Sequence, residues 1–231
     1  TTGKPKGVLL MHKNAVTYVN GARKIYPINE TDRALQGFSV SFDASVEEIW
    51  VPLSAGSTLV IGTFDIMRSG DRFSSILQNL GITFLSCAPT LLSMVKDDIP
   101  DLRILIFGGE VCSRDIANRW CKKGRMVYNT YGPTEATVYA TFYQVKIEDL
   151  NNEQIPIGKP FNDVATLYIY EPNQSYAELL LAGPGIAKGY LNLLDKTQEA
   201  FPVIEGKRYY KTVCNVSFSV TDTNLCLWSI N

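Results

Sequence analysis

The sequence predicts an α/β fold in which a parallel sheet is layered with helices and is followed by a small, β-rich, barrel-like subdomain. Apolar runs with many β-branched residues alternate with helix-like segments as far as about residue 144, which is the pattern of a parallel sheet. After that point helices become sparse, and short strands separated by turns follow. We therefore expect a core over residues 1–144, a β-rich subdomain over 145–212 and an atypical tail over 213–231.

The elements follow one another in a regular order. The predicted buried strands of the core are STLVIG (57–62), ITFLSC (82–87), RILIFGG (103–109) and RMVYNTYG (125–132). The predicted helices between them are DRFSSILQNL (71–80) and SRDIANRWCKK (113–123). The predicted strands of the subdomain are ATLYIYEP (165–172), AELLLAGPG (177–185) and RYYKTVCNV (208–216).

The composition is that of a globular protein without a polyanionic partner. Of 231 residues, 45% are hydrophobic and 19% are charged, and the net charge of −1 argues against a nucleic-acid binder that works through bulk charge. The five cysteines form no C-x-x-C pair, which favours reduced thiols in a cytoplasmic protein over disulfides or a zinc site. The least charged run, residues 49–64, is too short and too rich in Pro, Gly and Ser to span a membrane.

The first eight residues, TTGKPKGV, offer the groups that a polyphosphate binds. Thr1 and Thr2 supply hydroxyl donors, Gly3 lets the backbone approach, and Lys4 supplies a compensating positive charge. The same residue types also form exposed turns, so composition alone leaves both interpretations open. The P-loop pattern G-x-x-x-x-G-K-[ST] is absent, which places any nucleotide site in another fold.

A second polar segment, NTYGPTEATV (129–138), follows the last predicted strand of the core. Its aromatic ring can stack on a base, its amide can bind the base edge, the Thr134 hydroxyl can bind a phosphate, and Glu135 can hold the magnesium that phosphates bring. Glycines cluster here and at the end of the preceding strand, where open α/β sheets usually bind ligands. A strand followed by a helix with Thr134 as its N-cap is a structural alternative that is compatible with this function.

With these segments in place, the chain resembles the amino-acid adenylation domains of nonribosomal peptide synthetases, within the adenylate-forming enzymes. The resemblance extends from residue 1 to about residue 212 and rests on several motifs in the family's order. They are TTGKPKGV for the phosphate loop, SFDASVEEIW (41–50) for the substrate-anchoring segment, NTYGPTEATV for the adenine and magnesium segment, IPIGKP (155–160) for the connector and AELLLAGPGIAKGYLN (177–192) for the barrel motif.

The resemblance implies that ATP, with Mg²⁺, activates an amino-acid carboxylate as an aminoacyl-AMP and releases pyrophosphate. The aminoacyl group would then pass to the phosphopantetheine thiol of a partner carrier-protein domain. By the same resemblance Lys4, Thr134 and Glu135 are catalytic, and Glu135 is the magnesium ligand. The implied nucleotide-binding residues are Thr1, Thr2, Gly3, Lys4, Gly108, Gly109, Asn129, Tyr131, Gly132 and Thr134.

The implied amino-acid site has Asp43 at its mouth, where it would bind the α-ammonium group. The residues implied to line the side-chain pocket are Ala44, Glu47, Ser86, Ile106, Gly108, Thr130, Val138 and Tyr139. Because Glu47 is the only formal charge in this lining, we expect a basic substrate, with lysine favoured and ornithine next. The alternative is that Glu47 pairs with a Lys or Arg of the protein and the pocket is neutral.

Other residues near these motifs receive structural interpretations. Ser45 and Glu48 have the S-x-x-E spacing of a capping box at a helix start. The small residues Ala44 and Gly108 are expected to leave the pocket deep. His12, the single histidine, is expected to be structural, because activating an already ionised carboxylate needs no general base.

The chain departs from the family pattern in three places. The phosphate loop lacks the Ser-Gly that usually precedes it, Ala177 stands where the barrel motif usually has Gly, and Val213 and Cys214 replace a Gly-Asp whose aspartate binds the ribose. Residues 213–231 match nothing in the family and include no C-terminal lid with its catalytic lysine. We therefore expect an inactive fragment. The alternatives are an acyl-CoA synthetase or ligase of the same fold, or a degenerate, non-catalytic nucleotide-binding protein.

Overall fold

The computed structural model describes residues 5–147, 155–161, 164, 166–170, 177–221 and 224–229. Seven described strands form the larger sheet: β2 (Arg33–Gln36), β3 (Thr58–Ile61), β4 (Phe84–Cys87), β5 (Ile104–Gly108), β6 (Met126–Tyr131), β7 (Thr141–Gln144) and β8 (Lys159–Pro160). Their spatial order is β3-β2-β4-β5-β6-β7-β8. Strands β2 to β6 run parallel, whereas β7 and β8 are antiparallel to their neighbours, so the sheet is mixed. The four predicted core strands are confirmed as β3 to β6, while β2 was not predicted.

Helices cover both faces of this sheet. They are α1 (His12–Ile25), α2 (Ala44–Ser54), α3 (Phe64–Met67), α4 (Phe73–Asn79), α5 (Pro89–Met94) and α6 (Arg114–Trp120). The two predicted helices correspond to α4 and α6, and α6 begins where the Ser113 side chain accepts a hydrogen bond from the Ile116 amide. Within the described chain, no helix combines the length and apolar character needed to cross a bilayer.

Alternate residues of the central strands point into two separate cores, as the period of a strand requires. On β5, Leu105 and Phe107 face a core shared with α4, α5 and α6. Their neighbours Ile104 and Ile106 face the opposite core, which is shared with α1 and α2. The result is a layered α/β/α arrangement in which the substrate-anchoring segment lies on the α1–α2 side.

A second, antiparallel sheet forms the predicted β-rich part. Its strands are β9 (Thr166–Tyr170), β10 (Ala177–Ala182), β14 (Tyr210–Thr221) and β15 (Asn224–Ser229), in the order β15-β14-β10-β9. Two small antiparallel pairs accompany it, β1 (Val8–Leu9) with β11 (Gly189–Tyr190) and β12 (Val203–Ile204) with β13 (Lys207–Arg208), together with helix α7 (Leu194–Ala200). All three predicted subdomain strands are present. Strand β8 lies beyond residue 144 yet pairs with β7, so the larger sheet crosses the predicted boundary.

Residues beyond Thr212 pair within this second sheet, as the predicted strand over residues 208–216 indicated, although they match nothing in the family pattern. Val216 pairs with Ala177 and is fully buried, and the residues after it pair with β15. The alternating sequence VSFSV supplies a strand with one apolar face. At Val213, where the family pattern has Gly, φ is 58°, a left-handed conformation that is unfavourable for a β-branched residue.

Candidate active site

The candidate site lies where the parallel strands β4, β5 and β6 end. The Thr130 hydroxyl donates a hydrogen bond to the Phe107 carbonyl at 3.1 Å and so ties β6 to β5. A Cβ added at Gly108 would lie 2.4 Å from Thr130 Oγ1 and 2.8 Å from Tyr139 Cε1. The expectation that Gly108 leaves the pocket deep is therefore wrong, because the side chains of Thr130 and Tyr139 already occupy the space that a side chain at Gly108 would take.

In the turn after β6, the backbone at Gly132 packs directly against the backbone of residues 138–140. A Cβ at Gly132 would lie 2.5 Å from Tyr139 Cα and 2.6 Å from the Ala140 nitrogen, so only glycine fits without a shift of the chain. A 3₁₀ turn, Thr134–Ala136, follows with Pro133 as its N-cap. Thr134 is thus the first residue of the turn, and the alternative that it caps a helix is wrong.

Thr137 and Val138, which follow the 3₁₀ turn, both have left-handed backbone angles, with φ of 59° and 69°. Such conformations are costly for β-branched residues and persist only where surrounding contacts hold them. Here the Thr137 hydroxyl donates to the Gly185 carbonyl at 2.6 Å. The strained residues therefore fix the backbone conformation between Glu135 and Tyr139, which are both predicted site residues.

Asp43 and Thr134 meet at this edge of the sheet. Asp43 precedes α2 as its N-cap residue, and its carboxylate lies near the Thr134 side chain. Burial raises the pKa of Asp43, the neighbouring Thr134 side chain opposes that shift, and the nearby charge of Glu135 adds to it. The residue predicted to bind the α-ammonium group therefore lies beside the residue predicted to bind the α-phosphate.

The Glu135 carboxylate is oriented by a tyrosine hydroxyl. Its Oε1 accepts a hydrogen bond from the Tyr190 hydroxyl at 2.5 Å, and Glu135 is only 9% exposed. The ammonium of Lys6 lies over the Tyr190 ring, 4.4 Å from its centroid. Thr1, Thr2, Gly3 and Lys4, the remaining predicted phosphate-loop residues, lie outside the described residues.

Glu47 lies on α2, wholly buried, in the core between α1, α2 and the sheet. Its Oε1 accepts a hydrogen bond from the Tyr18 hydroxyl at 2.6 Å, and its Oε2 accepts one from the Ser86 hydroxyl at 2.8 Å. Burial raises the pKa of Glu47 to about 7, although both hydroxyl donors lower it. The carboxyl group therefore titrates far closer to neutral pH than an ordinary glutamate does.

The predicted pocket residues are brought together around Glu47. All of them are buried, and several belong to the same core as α1 and α2. The residues in question are Ala44, Ser86, Ile106, Gly108, Thr130, Val138 and Tyr139. The Tyr139 hydroxyl interacts with Thr130 and Ser86, so the polar groups of the lining are linked to one another.

The capping box predicted for Ser45 and Glu48 is wrong. Ser45 donates from its hydroxyl to the Phe42 carbonyl at 2.7 Å, while Glu48 turns away from the helix start. Its Oε2 accepts from the backbone amides of Gly37 and Phe38 at 3.0 and 2.9 Å. Glu48 thus closes the turn after β2, because two unpaired amides offer a buried carboxylate better donors than the start of its own helix does.

Asn129 and Tyr131 lie on the same side of β6, as alternate residues of a strand do. The Asn129 amide nitrogen donates to the carbonyls of Pro156 and Ile155, at 2.8 and 3.3 Å. The first two residues of the connector IPIGKP therefore fix the orientation of the Asn129 side chain. Tyr131 is half-buried and its hydroxyl lies beside Thr212 and Cys214.

Sequence reasoning missed the two tyrosines, Tyr18 and Tyr190, that donate hydrogen bonds to the site's carboxylates. Tyr18 lies on α1 and Tyr26 is the C-cap residue of that helix; their spacing of eight residues, with Ala22 between them, predicts a buried stripe but no hydrogen-bond partner. Tyr190 is part of the quoted barrel motif, yet its neighbour Glu135 is distant in sequence. The contacts depend on how α1 packs on α2 and how β11 meets the turn after β6, which local patterns do not encode.

Two curated relatives align with most of this chain. Delta-poly-L-ornithine synthetase of Acinetobacter baumannii (strain AB307-0294) is 36% identical over 206 residues, which cover 87% of this chain. Bacitracin synthase 2 of Bacillus licheniformis is 38% identical over 224 residues, which cover 92% of this chain. The chain spans 15% and 8% of the lengths of these two relatives.

A solved structure shares the fold. The Vibrio cholerae adenylation domain AlmE, in complex with glycyl-adenosine-5'-phosphate, superposes with a TM-score of 0.87 at 28% identity, over 99% of this chain and 46% of that one. The AMP-binding enzyme family matches residues 1–191. The chain therefore belongs to the AMP-binding enzyme family. Within that family, it is an adenylation-domain sequence of the nonribosomal peptide synthetase type.

Proposed function

We propose that this chain is the part of an adenylation domain in which an amino-acid carboxylate attacks the α-phosphate of ATP, giving an aminoacyl-AMP and pyrophosphate. The proximity of Asp43 to Thr134 and Glu135 supports this proposal most strongly. A substrate whose ammonium group binds Asp43 has its carboxylate within a few ångströms of a phosphate held by Thr134. Holding the two reactants side by side removes a large part of the entropic barrier to the reaction.

The end of β6 fits a nucleotide. The Asn129 amide nitrogen donates hydrogen bonds to two carbonyls, which fixes the orientation of the side chain. Its Oδ1 is therefore the atom that would accept a hydrogen bond from the amino group of adenine. Tyr131, two residues on, offers an aromatic face for stacking. The close backbone packing at Gly132 lets the turn that carries Thr134 approach a phosphate.

Glu135 fits a magnesium ligand. The described residues contain no group of three or more His, Cys, Asp or Glu side chains that could hold a metal by themselves. Magnesium in nucleotide sites is commonly bound by one or two carboxylates plus phosphate oxygens, which suits a single Glu135. When bound, the ion would neutralise charge on the phosphates. The Tyr190 hydroxyl keeps the carboxylate oriented for that role.

The environment of Glu47 supports a basic substrate, with lysine favoured and ornithine next. The alternative, in which Glu47 pairs with a protein cation, finds no support, because its hydrogen bonds within the described part of the chain come from a phenol and a hydroxyl. A buried carboxylate without a cation is costly, and a substrate ammonium would remove that cost. One relative, named as a poly-ornithine synthetase, carries a basic amino acid in its name.

The proposed next step is transfer of the aminoacyl group to the phosphopantetheine thiol of a carrier-protein domain. Relatives such as bacitracin synthase 2 are far longer than this chain, which is consistent with additional domains in the whole protein. The chain's own residues would bind and orient the amino acid and the nucleotide. The thiol would come from the partner domain.

The test is amino-acid-dependent pyrophosphate exchange by the full-length protein, measured with each proteinogenic amino acid and ornithine, beside Glu47→Gln. We expect lysine to give the highest activity and Glu47→Gln to lose about 10-fold or more of the preference for lysine over leucine, since an ammonium in the pocket would lose its charged partner. A matched control is Glu199→Gln, an exposed carboxylate on α7, which should leave the preference unchanged. Preference for a neutral or acidic amino acid would contradict the proposal.

A second candidate is a nucleotide-binding protein that has lost catalysis. It is favoured by Val213 and Cys214, which stand where the family pattern has Gly and the ribose-binding aspartate. The 231-residue chain alone should then bind ATP but show no exchange above background with any amino acid. Exchange by the chain alone, clearly above background, would exclude this candidate.

A further inference from the structure

Tyr18, a residue outside the predicted pocket lining, holds one oxygen of Glu47. Its hydroxyl donates to Oε1 at 2.6 Å, while Ser86 donates to Oε2 at 2.8 Å. Both Tyr18 and Glu47 are 0% exposed. Each carboxylate oxygen therefore receives a short hydrogen bond from a neutral donor, and such bonds to a charged acceptor are stronger than bonds between neutral groups.

Packing fixes the position of the Tyr18 hydroxyl. The Tyr18 ring lies against Phe161, with centroids 5.9 Å apart, and against Tyr139, with centroids 6.5 Å apart. Tyr18 also sits in the interface of α1 with α2, the helix that carries Glu47. The hydroxyl cannot turn away from Glu47 without disturbing this core, so the hydrogen bond is a permanent part of the pocket wall.

The groups that face Glu47 are otherwise phenols and carboxylates. Tyr26 at the end of α1 and Tyr139 after the 3₁₀ turn approach it, as do Asp43 and Glu48 on its own helix. Burial is the largest influence on the pKa of Glu47 and raises it, and Asp43 raises it further. Tyr18 gives the largest opposing effect, followed by Ser86 and Tyr26. Without Tyr18, Glu47 would keep its proton to a higher pH.

We propose that Tyr18 is a specificity-determining positioning residue, whose hydroxyl favours the ionised form of Glu47 and places its carboxylate to receive the ammonium group of a basic substrate side chain. This inference rests on the proposed function, because it presumes a basic substrate. The step it controls is a proton release. When the cationic side chain enters, the proton that Glu47 carries part of the time goes to solvent, and the carboxylate pairs with the ammonium.

The test compares lysine with norleucine, which has the same side chain without the ammonium group, in the full-length protein and its Tyr18→Phe variant. We expect Tyr18→Phe to lower kcat/KM for lysine about 10-fold or more at pH 7, the loss that follows from removing one hydrogen bond to a charged group. Norleucine should change by less than about twofold, because it does not need an ionised Glu47. The lysine defect should shrink as the pH rises toward 9, where Glu47 loses its proton without help.

The matched control is Tyr128→Phe. Tyr128 is buried in the same core, but its hydroxyl donates to the Ile25 carbonyl at 3.3 Å instead of to Glu47. It should leave the lysine-to-norleucine ratio unchanged, and thermal unfolding of each variant checks that both fold. A Tyr18→Phe protein that loses both substrates equally, or that keeps its ratio and pH profile, would overturn the inference. A wild-type protein that prefers norleucine would instead overturn the proposed basic substrate, and the inference with it.

Discussion

Two buried glutamates at opposite ends of the site are each held by a tyrosine, and they differ in what surrounds that tyrosine. Glu135 accepts from Tyr190 at 2.5 Å, and the Lys6 ammonium lies over the ring of that tyrosine. Glu47 accepts from Tyr18 at 2.6 Å, and the rings around Tyr18 are Phe161 and Tyr139. The surroundings of Glu135 thus include a protein cation, whereas the hydrogen bonds described for Glu47 are all from neutral groups.

The backbone around Glu135 is more tightly constrained than the backbone around Glu47. Glu135 lies in the turn after β6, where the close backbone approach at Gly132 and the left-handed residues Thr137 and Val138 fix its geometry. Glu47 lies on a regular helix, in which a side chain can be exchanged without altering the backbone. We therefore expect changes at Glu135 to affect catalysis and changes at Glu47 to affect selectivity and stability.

The largest effect is expected at Glu135. Glu135→Gln keeps the size of the side chain but removes the charge that would balance a metal ion, so adenylation by the full-length protein should fall about 100-fold or more, on the order of 3 kcal/mol of barrier. Pyrophosphate exchange with the preferred amino acid measures this. An enzyme within threefold of wild type would show that Glu135 is not the ligand and would remove the contrast with Glu47.

A smaller effect concerns stability and its pH dependence. Glu47 has a pKa of about 7 in the folded chain and an ordinary one of 4.5 when unfolded, so the folded state binds more protons between these values and loses stability as the pH rises from 4.5 to 7. Glu47→Gln removes that loss. It should be within about 1 kcal/mol of wild type at pH 5 and gain about 2.5 kcal/mol relative to wild type between pH 5 and pH 8, at about 1.4 kcal/mol per pKa unit.

Urea unfolding of the 231-residue chain at the two pH values measures the effect. Glu48, whose pKa is also raised to about 7 and in part by the charge of Glu47, should titrate at a lower pH in Glu47→Gln, which adds to the same pH dependence. Glu199→Gln, on exposed α7, serves as the control for the charge change alone. A stability difference that is the same at pH 5 and pH 8 would mean that Glu47 is ionised throughout, and the predicted need for a substrate cation would lose its basis.

The sequence predicted the parts of the fold that depend on short-range patterns. Strands β3 to β6 were visible because each is a continuous apolar run, which is typical of a parallel sheet covered on both faces. Strand β2 was missed because its four residues, RALQ, begin and end with polar side chains. The strand predicted over residues 208–216 is present, but β14 continues to Thr221, because the alternation in VSFSV extends it.

The candidate site was predictable only where motif residues are close in sequence. Gly132, Thr134 and Glu135 lie in one turn, whereas the assignment of Asp43 to the substrate α-ammonium group came from the resemblance alone. The role of Glu48 was mistaken because its spacing from Ser45 satisfies a local rule, while its real partners, the amides of Gly37 and Phe38, lie in another loop. Tertiary packing decided these contacts, as it commonly overrides local preference.

The smallest effect is expected at Val213. Its φ of 58° costs a β-branched residue about 1–2 kcal/mol, while glycine at the same position costs up to about 1 kcal/mol of chain entropy, so Val213→Gly should stabilise the chain by roughly 0.5–1 kcal/mol. Val213 is 80% exposed, so little packing is lost. Thermal unfolding of the 231-residue chain measures this. A destabilised variant would mean that the left-handed turn before Cys214 is not strained.

The most direct test of the central claim is the proton released when the full-length protein binds lysine. Calorimetric titration at pH 7 in two buffers with different ionisation enthalpies measures the protons released on binding. Repeating it with norleucine subtracts any proton exchanged at the α-amino and carboxylate groups, which lysine and norleucine have in common. Because the pKa of Glu47 is about 7, lysine should release about half a proton more than norleucine, and Glu47→Gln should abolish the difference. Equal proton release for the two ligands in the wild-type protein would contradict the claim that Glu47 meets the substrate's side-chain ammonium.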